Sequence, residues 1–225
     1  MSRYRIGIPT IAAAGAFAAA GAAFAGAHTW DVSEVFSTAD GSVQFIELFE
    51  VAGGANEWHV GGLKVTSEST GNEFTFPANL VAPPTNKRIL LATQSFADLD
   101  GAPTPDYIIP ADFFAVGGDT IRYHVYDTWV ISAGAVPTDC VNSLNRTGGV
   151  GLNTPTNDLG ATGQVDAWAQ ADSDVNGDRV VDTADLGIVI SGFGSPGPFG
   201  DVNGDGIIDT ADLGTLISAF GSSCP

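Results

Sequence analysis

Basic residues are scarce in this 225-residue chain: eight Lys and Arg stand against 26 Asp and Glu, for a formal net charge of −18. A surface so acidic repels phosphate backbones and anionic headgroups, which excludes nucleic acid and charged membranes as partners. Histidine is equally thin, with His28, His59 and His124 the full set. None stands in a His-Glu-x-x-His or nucleophile-elbow pattern, so they read as surface or strand residues and not as catalysts. There are two cysteines, Cys140 and Cys224. They are either bridged, pinning the C-terminus to the region before it, or separately used, and spacing alone does not choose between these. Beyond the N-terminus no apolar run is long enough to cross a membrane.

The first 27 residues set the compartment. Arg3 and Arg5 precede an uncharged run from Ile6 to Ala27 built mostly of Ala and Gly. Small residues follow at Ala23-Phe24-Ala25 and Ala25-Gly26-Ala27, so residues 1–27 read as a secretory signal peptide. The run is long enough for an uncleaved anchor, but it is weakly hydrophobic and no basic stop-transfer cluster follows, which favours removal. The mature chain is therefore expected to be secreted, extracellular or at the cell surface. That compartment is oxidising, where a disulfide persists.

What the chain does have is an acidic loop written twice, 27 residues apart. The first copy runs Asp174, Asn176, Asp178, Val180, Asp182, Asp185, and the second Asp201, Asn203, Asp205, Ile207, Asp209, Asp212. Counted from its first aspartate, each copy places side-chain oxygens at positions 1, 3, 5, 9 and 12, with the backbone carbonyl of position 7 between them. That spacing delivers the oxygens a hard cation such as Ca²⁺ requires. No packing demand puts so many carboxylates in one short loop, and two copies in register predict two Ca²⁺ ions. After each loop comes a helical stripe, Leu186, Val189, Ile190, Phe193 and then Leu213, Leu216, Ile217, Phe220. Gly194 and Gly221 stand where a left-handed cap would end each helix. Val181 and Ile208, at position 8, are expected to pair the two loops with each other. Position 6 needs a positive φ, which Gly206 supplies freely, whereas Arg179 pays on the order of 1 kcal/mol there. The first site is therefore expected to be the weaker. A module of this size buries little apolar surface, so its folding should be coupled to the metal.

This duplicated loop–helix unit resembles a dockerin module, on the strength of Asp174-Val175-Asn176-Gly177-Asp178, Asp201-Val202-Asn203-Gly204-Asp205-Gly206 and the Asp-Thr-Ala-Asp-Leu-Gly that follows each at 182–187 and 209–214. The resemblance covers about residues 172–223. It implies one Ca²⁺ per loop and a helical face that docks on a cohesin-like or other extracellular protein partner. The partner-reading positions would be Thr183, Ala184, Ile190, Ser191, Thr210, Ala211, Ile217 and Ser218. The basic residues common at the last two positions of each copy are missing. Dockerins usually travel with glycoside hydrolases, which implies an association with extracellular polysaccharide degradation.

Upstream, apolar runs recur at 43–51, 60–66, 73–76, 88–93, 120–126 and 128–132 between Gly-Gly, Pro-Pro and Asp-Gly signals, the punctuation of a β-sandwich. Ile121, Tyr123 and Val125 alternate with Arg122, His124 and Tyr126 as one half-buried strand. The region is similar to the lamin-tail family, an immunoglobulin-like sandwich without a shared enzymatic activity. The resemblance is carried by Gln44-Phe45-Ile46-Glu47-Leu48-Phe49, Val60-Gly61-Gly62-Leu63-Lys64-Val65, Phe74-Thr75-Phe76-Pro77, Leu80-Val81-Ala82-Pro83, Arg88-Ile89-Leu90-Leu91-Ala92, Gly118-Asp119-Thr120 and Ser143-Leu144-Asn145-Arg146. Leu63 replaces the family's tryptophan, and Glu50 its usual asparagine.

The expected architecture is mainly β, an immunoglobulin-like sandwich followed by a small all-α calcium-binding module. The divisions are 1–27 signal peptide, 28–150 sandwich, 151–171 linker and 172–225 dockerin-like module. The expected function is non-catalytic attachment, with no catalytic residue. Two readings compete with it. In one, Trp30, Trp58 and Trp129 form the stacking platform of a carbohydrate-binding module. In the other, a divergent glycoside hydrolase uses two carboxylates such as Glu47 and Glu50, but residues three apart on a strand point to opposite faces. Glu47 reads instead as structural, meeting Arg88 or Arg146, and the tryptophans as core or rim. Trp168 is expected to pack near the first loop-following helix.

Overall fold

A computed structural model describes residues 26–53, 57–80, 87–168 and 172–224. Most of the expected signal peptide lies outside the described residues, as do Val81, Ala82 and Pro83. The sandwich strands are β1 (Trp30–Ser37), β2 (Gln44–Glu50), β3 (Lys64–Ser67), β4 (Glu73–Thr75), β5 (Arg88–Ala92), β6 (Tyr107–Ile108), β7 (Asp119–Tyr123), β8 (Asp127–Ile131), β9 (Asn142–Asn145) and β10 (Gly149–Leu152). A short helix, α1 (Gln94–Ala97), follows β5, and α2 (Thr183–Gly192) and α3 (Thr210–Ala219) form the C-terminal module. One sheet has six strands in the order β10-β9-β1-β2-β5-β6, and the other four in the order β4-β3-β7-β8. The chain is mainly β, with a small helical end.

Each expected apolar run holds a strand, with one correction. The run 120–126 stops at Tyr123, because His124 takes φ 50° and the Tyr126 amide donates back to the Tyr123 carbonyl at 3.0 Å. His124 thus lies in the β7–β8 turn, and Val125 is exposed instead of alternating inward.

The space between the sheets is filled by Trp30, Val32, Val35, Ile46, Leu48, Leu63, Val65, Phe76, Ile89, Leu91, Ile121 and Tyr123, all buried. Strand β1 was not legible as a strand because its side-chain alternation changes parity midway. The β1–β2 register slips between Val32 and Glu34, leaving Ser33 as an extra residue. After this bulge Val35 faces inward, while Glu34 and Phe36 turn to the outer face. Ser33 fastens the bulge, its hydroxyl donating to the carbonyl and carboxylate of Glu47 at 3.1 and 3.0 Å.

That outer face is covered as well. Phe36 stacks on Phe45 with centroids 5.5 Å apart, and Phe45 meets Phe96 edge-on at 5.4 Å. These rings, with Leu90 and Ala92, join an apolar cluster that continues through Cys140, Val165, Ala167 and Trp168 into Val181, Val189 and Leu216 of the helical module. The stretch 151–171, expected as a linker, is thus a strap packed against the sheet over its described part. Thr154 donates its amide and hydroxyl to Glu34, both at 2.8 Å, and the Thr156 amide donates to Glu47 at 2.9 Å. Asn153 holds the strap's two arms, accepting from the Val165 amide at 2.8 Å and donating to the Val141 and Val165 carbonyls. Its polar composition reads as linker because its polar groups are bonded to buried carboxylates and backbone, which composition does not reveal.

The tryptophans do not form a platform. Trp30 is fully buried and donates Nε1–H to the Glu57 carbonyl at 2.6 Å. Trp58 stacks on His59, and Trp129 lies under the Arg146 guanidinium. Glu47 is ion-paired with Arg88 and wholly buried. Glu50 is equally buried, accepting from Thr29 Oγ1 and from the Ala52 and Gly53 amides at 2.8 to 2.9 Å.

Burial pushes the Glu47 carboxyl up to about 7, with Arg88 opposing the rise and neighbouring Glu34 adding to it. Because the folded value lies above the unfolded one, this group's stabilising contribution is complete below about pH 4.5 and is lost as pH rises through about 7. We expect the thermal midpoint measured in chelator to fall between pH 5 and 8 relative to Glu47→Gln, by an amount worth at most about 3 kcal/mol. Parallel pH curves for the two proteins would show that Glu47 stays ionised throughout.

Candidate metal centre

Each acidic loop is held open by its own side chains accepting from its own backbone. In the first, Asp174 Oδ1 accepts from the Gly177 and Asp178 amides at 2.9 and 3.1 Å, and Oδ2 from the Arg179 amide at 2.7 Å. Asn176 Oδ1 accepts from the Asp178 amide, and Asp178 Oδ1 from the Val180 amide. The second loop repeats this: Asp201 accepts from the Asp205 and Gly206 amides, Asn203 from Asp205, and Asp205 from Ile207. Such turns let a short polar side chain stand in for a backbone carbonyl and gather oxygens on the inside of the loop.

Asp182 and Asp209 begin the helices as N-caps, accepting from the Ala184 and Ala211 amides at 2.7 Å. Each helix start is a capping box whose reciprocal member is Asp185 or Asp212. Asp185 accepts from the Asn176 amide at 3.0 Å and the Asp182 amide at 2.9 Å, and Asp212 does the same to Asn203 and Asp209 at 3.1 and 2.8 Å. Both carboxylates are fully buried. The Asp209 amide, with that of Asn203, holds the Asp212 carboxyl below the usual carboxylate range, which keeps it an anion.

The expected pairing of Val181 with Ile208 is corrected. Val181 donates to the Ser222 carbonyl at 3.0 Å and accepts from the Gly221 amide at 2.8 Å. Ile208 makes the matching pair with Ser195 and Gly194 at 3.1 and 2.8 Å. Each loop is therefore closed by the segment that leaves the other copy's helix. Gly194 and Gly221, at φ 83° and 81°, end those helices in the left-handed conformation. The apolar stripes divide as well. Val189 and Leu216 point into the module, while Ile190 and Ile217 are each 57% exposed and Phe193 and Phe220 49% and 46%.

The donors fit a hard divalent cation. Carboxylate oxygens of Asp174, Asp178 and Asp185 all lie within 4.8 Å of one another, and among the described residues this is the one three-carboxylate group so closely gathered. Asp174 and Asp201 line one cleft of about 410 Å³ between the loops, also walled by Asp172, Asn203 and Phe199. An all-oxygen set in this pattern suits Ca²⁺ and not a soft transition metal. Val180 and Ile207, the two positions expected to contribute a backbone carbonyl, keep exposed side chains.

The dockerin type I domain family matches residues 172–221. The C-terminal module is a dockerin. A solved type II cohesin–dockerin domain from Bacteroides cellolosolvens is 36% identical over 23% of this chain and 87% of that one, with a TM-score of 0.23, too low to bear on the fold. No curated protein matches the chain. Dockerins are non-catalytic, calcium-binding attachment modules. In this dockerin Thr183, Ala184, Ile190 and Ser191, with their counterparts Thr210, Ala211, Ile217 and Ser218, are all solvent-exposed.

The link between dockerin and sandwich was only half legible. Cys140 and Cys224 are disulfide-bonded, with Cα atoms 5.9 Å apart across 84 residues of sequence. Arg179, noticed in sequence as a misfit at position 6, takes φ 71° and sends its guanidinium across to Asp166 of the strap at 2.9 and 3.1 Å. Nothing in residue spacing indicates that partner, because Asp166 reaches it only through the folded path of the strap. Trp168 is buried in the apolar cluster that also holds Val181 and Val189.

Replacing Asp185 with Ala removes the acceptor for two amides at once. We expect the dockerin's thermal transition in chelator to lose about 2 kcal/mol, since a buried amide left without a partner is costly. An unchanged transition would show that the loop is not organised this way without metal.

Proposed function

We propose that this chain is a secreted, non-catalytic calcium-binding protein whose dockerin attaches it to a cohesin-like extracellular partner, while a lamin-tail-like sandwich at 28–150 serves as its interaction domain. The observation that carries this reading is the duplicated loop–helix unit at 172–221, matched by the dockerin family and built of oxygen donors. Two ions are assigned, one to Asp174, Asn176, Asp178, the Val180 carbonyl, Asp182 and Asp185, the other to Asp201, Asn203, Asp205, the Ile207 carbonyl, Asp209 and Asp212. A bound Ca²⁺ supplies the positive charge that these crowded carboxylates lack. The side chains orient their oxygens through the amide bonds described above, and Asp182 and Asp209 tie each loop to the start of its helix. With the loops set, the exposed Ile190, Phe193, Ile217 and Phe220 stand on one small module as a docking surface. The cohesin named in the similar solved protein supports a partner of that kind. A setting in extracellular polysaccharide breakdown follows from the company such modules keep.

Calorimetry on the full chain is expected to find two Ca²⁺ sites, with Asp178→Ala and Asp205→Ala each removing one. Capture by immobilised cohesins should need calcium and disappear in EGTA. Absence of binding at millimolar calcium would remove the reading.

Export with removal of the leader is part of the same proposal, and Gly26 and Ala27 bear on where the cut falls. Ala27 is buried in the sandwich core, its carbonyl accepts from the Tyr123 hydroxyl at 2.8 Å, and the Gly26 carbonyl accepts from the His59 amide at 3.0 Å. Cutting after Ala25 keeps these bonds, whereas cutting after Ala27 loses them. N-terminal sequencing of the exported protein should therefore begin at Gly26. A start at His28 would contradict the choice of site, and a retained N-terminus would contradict the leader itself.

A further inference from the structure

Arg179 closes a ring between the dockerin and the sandwich. Its guanidinium grips both oxygens of Asp166 at 2.9 and 3.1 Å and donates to the Asp139 carbonyl at 3.2 Å. Asp139 precedes Cys140, which is bonded to Cys224. Ser223, one residue before Cys224, forms an antiparallel bridge with Val180, the residue after Arg179. The strap is fixed to the same point, since the Ala167 amide donates to the Cys140 carbonyl at 3.0 Å. Inside this ring lie the positions that matter for a cation. The Arg179 amide orients Asp174, and Val180 offers the carbonyl of position 7.

The second loop has no equivalent. Gly206 stands at its position 6 without a side chain, and its closing partners Gly194 and Ser195 lie in a segment with no disulfide to the sandwich, whereas Gly221 and Ser222 of the first loop's closing segment precede the bridged Cys224. The first loop is also the one whose three carboxylates are gathered within 4.8 Å. Arg179 holds its positive φ of 71° with its guanidinium bonded outside the loop, to Asp166 of the strap and the Asp139 carbonyl. Three hydrogen bonds from a half-exposed guanidinium, two to Asp166 and one to the Asp139 carbonyl, offset part of the backbone strain at this position.

We propose that Arg179 is a positioning residue through which the sandwich holds the first loop ready for calcium, making that loop the tighter site in the intact, disulfide-bonded chain. This rests on the calcium reading above and reverses the ranking that a misfit at position 6 implies. The device makes calcium affinity at one site depend on the neighbouring domain and on the Cys140–Cys224 bond.

The test is calcium calorimetry on the full chain carrying Asp205→Ala, in which only the first loop remains. Asp166→Asn is the cleaner variant because it leaves the backbone at 179 untouched, and Arg179→Gly is the second. Each should weaken calcium binding about three- to five-fold, the range of a half-exposed ion pair. Mild reduction of the disulfide should weaken it too. In the Asp178→Ala chain, where only the second loop remains, the same changes should leave affinity unaltered. Unchanged affinity in Asp166→Asn, or tighter binding in Arg179→Gly, would overturn the inference while leaving the calcium reading intact. No calcium binding by the Asp205→Ala chain would overturn both for the first loop.

Discussion

Phe36, Phe45, Leu90 and Ala92 give the outer face of the six-stranded sheet an apolar patch, and the need to keep it from water governs the path of the chain after Cys140. A sandwich normally leaves its outer faces to solvent. Here the bulge at Ser33 changes the parity of β1 and turns Phe36 outward, beside Phe45 and Phe96. The strap from Asn153 to Trp168 answers that patch. In crossing the sheet it brings Val165, Ala167 and Trp168 into the cluster shared with the dockerin. The dockerin is thus seated on the sandwich and not hung from it.

Carboxylates serve two opposite purposes in the same chain. Glu34 and Glu47 face each other across β1 and β2, fully buried, and their acceptor capacity is met by Ser143, Thr154, Thr156, Ser33 and Arg88. Burying a charge is tolerated only when it is partnered in this way, and Glu47 shows the residual cost in its raised affinity for a proton. In the dockerin loops the acids are also bonded to amides, but they remain crowded against one another. Amide dipoles orient a carboxylate without cancelling its charge. That leaves a demand for a cation which the sandwich carboxylates do not have.

Duplication does not make the two loops equivalent. Their internal hydrogen bonds match closely, the Gly177 amide on Asp174 being an addition in the first loop, and each is closed by the other copy's exit segment. The difference arises outside the repeat, where the exit segment of α3 is cross-linked to Cys140 and that of α2 is not. Arg179 adds a second tie on the same side. A residue that breaks the local rule for a calcium loop is explained once its side chain is followed to Asp166.

Much of this protein was legible from residue order alone. The duplicated acidic loops of the dockerin were, because each lies within twelve residues and local spacing fixes which side-chain oxygens turn inward. The helix ends at Gly194 and Gly221 and the sandwich class were legible for the same reason, since turn chemistry and side-chain alternation are short-range. Strand β1 was hidden by its bulge, and the strap by polar residues whose partners, Glu34 and Glu47, are more than a hundred positions away. The choice of Cys140–Cys224 over unpaired thiols, the crossed closure of the loops and the meeting of Arg179 with Asp166 all waited for the tertiary structure. Each depends on distances between segments remote in the chain, and these exist only once the outer face of the sheet has been covered.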